Sequence, residues 1–220
     1  MSCKRNNFIF IHNPKTGGET IETLLKHRKN HSYAYELKDK IKNKYSFVFV
    51  RHPVTRIISW YNHLLKHRYY KDIENNKLNN SSTCYDKLKK SHKMGPRAHR
   101  QIAEKNNIND WIKIMLNDVD TYNKPQWGPL SHQYLYVYDT DGKTKLVSEF
   151  FKFENYQEEL IKIFKKLKKE ELIKSIDKTN HSKKINDKLT SESIELIYNY
   201  FEKDFELFNY KKYEYDCTLK

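Results

Sequence analysis

Phe8-Ile-Phe-Ile-His12, then Asn13-Pro-Lys-Thr-Gly-Gly-Glu-Thr20, then apolar residues at Ile21, Leu24 and Leu25 make up the stretch from which the fold of this chain is read. A short apolar run, a proline and two glycines, then apolar positions at helical spacing predict a buried strand, a tight loop and the first turns of a helix. Gly17 and Gly18 let the backbone approach a ligand with no side chain in the way. The helix that follows turns unpaired N–H groups and the positive end of its dipole toward the loop. Lys15 adds a full positive charge there, so the stretch suits a phosphate-like anion. It is not the nucleoside-triphosphate loop GxxxxGK[ST], because here the lysine precedes the glycines. Taken alone, the segment also reads as a plain strand-to-helix turn.

Further along, Tyr35 to Lys44 reads as a short amphipathic helix with Leu37 and Ile41 inward. Ser46-Phe-Val-Phe-Val50 is a continuous apolar run of strand length, which suits a buried parallel strand. Strand, helix, helix, strand implies an α/β fold, a P-loop-like parallel sheet flanked by helices, with both strands ending at one edge. Ligands bind at that carboxyl edge in such sheets. The second strand runs into Arg51-His-Pro-Val-Thr-Arg-Ile-Ile-Ser-Trp-Tyr61, where Pro53 suits the first turn of a helix.

Residues 69–97 are polar and basic and read as an excursion or lid. A short helix is expected at 109–117, capped by Asn109. Gln133 to Tyr138 and Lys145 to Phe151 read as two strands joined by the turn Asp139-Thr-Asp-Gly142. Helices are expected at 155–168 and 190–203, with a polar loop from Asp177 to Lys188 between them. No repeat or linker divides the chain, so one domain is expected over residues 1–220.

The formal charge of +14 points to an anionic partner: nucleic acid, an anionic membrane surface, an acidic polysaccharide or a polyphosphorylated small molecule. Mean hydropathy is −0.96, yet 14% aromatic residues and recurring apolar runs argue against disorder. Cys3, Cys84 and Cys217 are isolated, which fits a reducing compartment better than a disulfide framework. No apolar run is long enough to span a membrane, and the first strand begins too early to leave room for a signal peptide. A cytoplasmic location is the expectation from these features.

Three elements coincide: a Pro-Lys-Thr-Gly-Gly loop after the first strand, Arg51 ending a later strand, and Ser59 eight residues beyond it. This pattern resembles the sulfotransferases that use 3′-phosphoadenosine 5′-phosphosulfate (PAPS), in particular the carbohydrate branch that includes heparan sulfate 2-O-sulfotransferase. Phe153-Glu-Asn-Tyr156, Asn180-His-Ser182 and Asp204-Phe-Glu-Leu-Phe-Asn-Tyr210 resemble later blocks of the family. The resemblance implies that Lys15, Thr16, Gly17, Gly18, Glu19 and Thr20 grip the 5′-phosphosulfate end of the donor, and that Arg51 and Ser59 bind its 3′-phosphate. It implies further that Ser182 closes over the nucleotide, that PAP is the product, and that no metal is required. Glu19 departs from the small hydroxyl residue of many relatives. A carboxylate beside a phosphosulfate is repulsive, so its side chain is expected to point away or to cap the helix start. Members of that branch usually work in the Golgi lumen.

Sulfuryl transfer is an in-line displacement, in which positioning and charge stabilisation dominate. Lys15 is the candidate to stabilise charge on the leaving phosphate oxygen. Histidine titrates in the range a general base needs. His31, in the connection between the first helix and the second strand, is the candidate base, with His12 the closest competitor. His27/His31 and His63/His67 have a spacing that could pair metal ligands, but neither has an HExxH context or an evident third ligand. The acceptor is expected to be a hydroxyl, on a carbohydrate and in particular an acidic one. A non-catalytic binder of glycan or nucleic acid, driven by charge, and a P-loop kinase are the competing readings; nucleic acid rests on charge alone.

Overall fold

The computed structural model describes residues 7–26, 31–66, 96–117, 128–178 and 188–215. Strands β1 (Phe8–Ile11), β2 (Tyr45–Val50) and β3 (Glu149–Lys152) form a parallel sheet in the order β1-β2-β3. Phe10 pairs with Phe47 and Phe49 with Phe151, so β2 is the central strand of the three. The fold class is the mixed α/β one expected.

The two-residue period of a strand sorts side chains by type between the two faces. Phe8, Phe10, Phe47 and Phe49 turn to one face, where they pack with Ile21 and Leu25 and with Leu160, Ile163 and Phe164. Ile11, Val48 and Val50 turn to the other, packed with Tyr33, Leu37, Ile41, Tyr136, Val137 and Phe208. A one-residue slip would exchange these sets, so register is strongly specified.

Helix α1 (Gly18–Leu24) covers the first face; α2 (Lys38–Ile41), led in by a 3-10 turn at Tyr35–Leu37, lies on the second. The long helix α3 (Pro53–Lys66) follows β2 directly. It joins α4 (Pro96–Lys105), α5 (Ile108–Asn117) and α7 (Ser191–Tyr200) in a second core built on Ile57, Trp60, Ile102, Trp111, Ile112 and Ile197. Helix α6 (Tyr156–Lys166) packs against the sheet, and α8 (Glu202–Leu207) follows a break at Phe201 that divides the single helix expected at 190–203.

Gln133 to Tyr138 is not a strand. Gln133–Tyr136 forms a 3-10 turn, because the buried Asp204 carboxylate accepts the backbone N–H groups of Gln133 and Tyr134 at 2.8 and 2.9 Å. The turn Asp139-Thr-Asp-Gly142 does form, closed by a lone antiparallel bridge from Tyr138 to Lys145, and the following strand pairs parallel with β2 instead. The cap of α5 is Asn107, whose Oδ1 accepts from the N–H groups of Asn109 and Asp110. Asn109 spends its amide on Lys188 and Thr190. Of the segment 69–97, Pro96 and Arg97 open α4; the rest lies outside the described residues.

Candidate functional site

Each parallel strand runs straight into polar residues at the carboxyl edge: β1 into His12 and Asn13, β2 into Arg51 and His52, and β3 into Phe153 and Glu154. The loop after β1 is wound on itself. Thr16 Oγ1 donates to the Asn13 carbonyl at 2.7 Å, and the Thr20 N–H donates to the Gly17 carbonyl at 3.2 Å. Gly17 has φ 79°, a conformation that glycine adopts without steric cost. Lys15 has φ 67° and no such freedom. The other non-glycine residues with positive φ among the described residues, Lys26, Lys168 and Asn209, follow helix ends, where a left-handed residue completes the cap. At Lys15 the strained backbone, costing about 1–3 kcal/mol, belongs to the loop itself.

A buried network holds this loop to the end of β2. Asn13 Nδ2 donates to the Phe49 carbonyl and to Gln133 Oε1, both at 3.0 Å. Gln133 Oε1 also accepts from the Arg51 N–H at 2.9 Å, and its Nε2 donates to the Arg51 carbonyl at 2.7 Å. Arg56, 1% exposed, donates to the carbonyls of Pro14 and Ser131 and to Asn13 Oδ1. Its direct partners are carbonyl oxygens. Burial lowers its pKa, and the charge of Asp204 partly restores it. A buried guanidinium beneath the loop thus adds positive potential where the loop would meet an anion.

Arg51 closes the other side. Its Nε donates to Thr55 Oγ1 at 3.0 Å, its Nη1 to the Lys15 carbonyl at 3.4 Å, and its guanidinium lies 4.5 Å from the centre of the Phe153 ring. Burial brings its pKa down to about 10, with Glu154 acting in the opposite direction, so it stays a cation at neutral pH. Nη2 makes no hydrogen bond among the described residues. Ser59, half-buried, lies one turn beyond Thr55 on α3.

The segment after β3 clamps both motifs. Glu154 accepts from the His52 N–H at 2.8 Å and from the Tyr210 hydroxyl at 2.9 Å. Tyr156 donates its hydroxyl to the Gly17 carbonyl at 2.6 Å. His52, buried, caps α3: its Nδ1 accepts from the Val54 N–H, which leaves Nε2 to donate to the Lys211 carbonyl. Both ring nitrogens are thus used in holding backbone.

His31 stands over His12 with ring centres 4.2 Å apart, and its Nδ1 donates to the His12 carbonyl at 3.2 Å. The His12 ring is held in turn by Glu22, Nδ1 to Oε1, at 2.8 Å. His31 therefore shares the sheet edge with the Lys15 loop. Glu19 is exposed in the first turn of α1, where its charge complements the helix dipole. Thr16 is fully buried, Lys15 and Thr20 are half-buried, and Ser182 lies outside the described residues. Asn13 and Arg56 sat inside the motifs quoted above without a role. Gln133, Asp204 and Glu22 were not singled out; a carboxylate four residues after Gly18, on an otherwise apolar helix face, was the available signal for Glu22.

Among the described residues no group of three His, Cys, Asp or Glu side chains is arranged to hold a metal ion, and no helix is long and apolar enough to cross a membrane. A parallel sheet whose first loop carries a lysine and two glycines, with a buried arginine beside it, places the chain in the mixed α/β class with its polar loop at the carboxyl edge. Residues 1–211 match the Sulfotransferase family, and the chain belongs to it. Membership implies transfer of a sulfuryl group to a hydroxyl acceptor. No curated protein and no solved structure matches the chain.

Proposed function

We propose that the chain transfers a sulfuryl group from PAPS to a hydroxyl of a carbohydrate, with His31 as base and Lys15 at the leaving phosphate. The observation that carries this reading is the meeting of the two motifs. Arg51 Nη1 donates to the Lys15 carbonyl, while Nη2 has no partner among the described residues. A half-buried cation whose Nη2 has no partner among the described residues, beside a loop under Arg56, fits a phosphate group.

The donor supplies an activated sulfuryl group whose sulfur is attacked by the acceptor oxygen as the bond to the bridging phosphate oxygen breaks. Around that exchange the chain has four tasks. The 13–20 loop, with Lys15, Thr16, Gly17, Gly18 and Thr20, holds the 5′ end. Lys15 stabilises the charge that grows on the departing phosphate oxygen. Arg51 and Ser59, with Ser182, hold the 3′-phosphate. Glu19, exposed in the first turn of α1, complements the helix dipole there with its charge.

His31 takes the acceptor proton. A carbonyl only accepts, so the bond to the His12 carbonyl assigns the proton of neutral His31 to Nδ1 and leaves the lone pair on Nε2. The net charge of +14 favours an acidic glycan as acceptor. Incubation with labelled PAPS across a panel of glycans, peptides and small alcohols tests the reading. Label is expected on a glycan, with Lys15→Ala inactive and folded. Tight, salt-sensitive heparin binding with no turnover would replace this reading with that of a glycan-binding protein.

A further inference from the structure

Two buried titratable groups at the sheet edge have no part in the chemistry above. His12 is 4% exposed and Glu22 is 7% exposed. A carboxylate on the covered face of a helix is unfavourable unless it is paired, and here its partner is the His12 ring. The carboxylate accepts, so Nδ1 of His12 carries the proton. Nε2 and Cδ2 of the same ring lie against Gly18, where any Cβ would overlap them. The ring is thus gripped at one side by Glu22 and at the other by the bare backbone of α1. Its face meets the His31 ring, and its own carbonyl takes the Nδ1 proton of His31.

We propose that Glu22 and His12 are the positioning pair of this site: Glu22 fixes the His12 ring, and His12 fixes His31 as the Nδ1–H tautomer with the lone pair on Nε2. This inference rests on the reading of His31 as the base, and it gives that base a defined geometry. Gly18 belongs to the same device, because only a residue without Cβ admits the His12 ring beside the loop. Among the described residues, the charged groups on the adjoining loop, on and just after α1, and at the 3-10 turn are Lys15, Glu19, Lys26 and Glu36, whose carboxylate accepts from the Tyr33 N–H. Of these and Glu22, it is Glu22 that accepts from the His12 imidazole. The reaction stays balanced: the acceptor hydroxyl proton passes to Nε2 of His31 while Nδ1 keeps its own proton on the His12 carbonyl.

The test uses the full chain with isotope-labelled imidazole nitrogens and reads the tautomer of each histidine by NMR at about pH 8, where an ordinary imidazole is neutral. Wild type is expected to show His31 protonated on Nδ1. Glu22→Gln, which still accepts from His12, keeps that pattern; Glu22→Leu moves His31 toward the Nε2–H form. In the transfer assay, Glu22→Leu lowers kcat by about 10–100-fold with KM for PAPS nearly unchanged, and Glu22→Gln stays within about 3-fold of wild type. A wild-type His31 protonated on Nε2 overturns the proposal, whatever the variants do. So does a folded Glu22→Leu protein whose His31 pattern is unchanged. If the tautomer pattern follows this scheme while wild type transfers no sulfate, the positioning geometry stands and the assignment of His31 as base falls.

Discussion

Tyr156, the first residue of α6, donates its hydroxyl to the carbonyl of Gly17 over 2.6 Å and so ties the end of the third strand to the loop after the first. Burial raises the Tyr156 phenol well above the usual tyrosine range, which keeps it a donor at all ordinary pH values. Tyr156→Phe removes the donor and leaves the ring. Chemical denaturation is expected to show a loss of about 1 kcal/mol, and calorimetric titration with PAP a weaker affinity as the loop loosens.

The same contact makes Gly17 irreplaceable. A Cβ there would stand 2.6 Å from the Tyr156 ring and 2.9 Å from the Phe153 ring, on a backbone at φ 79°. Gly17→Ala therefore combines overlap with a strained dihedral, and its loss of stability is expected at about 1–3 kcal/mol in a urea melt.

Lys15 carries strain that its chemistry would justify. Glycine adopts φ 67° freely, so Lys15→Gly relieves the backbone while removing the charge. Thermal melting of this variant is expected within about 1 kcal/mol of wild type or above it, while transfer falls by about 100–1,000-fold. Loss of fold and of activity together would show that the residue is structural.

Three histidines, His52 and His99 buried and His132 half-buried, are disfavoured as cations by desolvation. Burial lowers the pKa of His52, of His132, and of His99 to about 4. Above the ordinary value near 6.5 they cost nothing. As pH falls below it, the unfolded chain binds protons that the folded chain refuses, so stability is lost from about 6.5 downward. Asp204, whose carboxyl burial raises, acts in the opposite direction. With three groups against one, the melting temperature is expected to fall between about pH 7 and pH 5. His99→Leu should flatten that fall, since both His99 ring nitrogens lack partners among the described residues.

The strand, loop and helix at the start of the chain were legible because local signals agree there: a Phe/Ile run, two glycines, then helical spacing. β2 and the entry of α3 at Pro53 were legible for the same reason. Gln133 to Tyr138 misled because its run of Tyr, Leu and Val has the composition of a strand, while a distant carboxylate, Asp204, draws two of its N–H groups into a 3-10 turn. Asn107 and Asn109 are equally good caps by residue type, and only packing against Thr190 separates them. Within the site, Lys15, Arg51 and His31 carry charge or chemistry that a sequence displays. Gln133 and Arg56 act through partners brought together by the fold, and Glu22 is marked locally only as a carboxylate on an otherwise apolar helix face.

Melting of the purified chain with PAP tests the central claim most directly. At a PAP concentration about 100 times its Kd, binding to the folded state alone adds about 2.7 kcal/mol, or about 5–10 °C for a chain of this size. That rise is the expected result, reduced in Lys15→Ala and in Arg51→Ala. No rise with PAP, together with a rise of that size with ATP and Mg²⁺, would contradict the account.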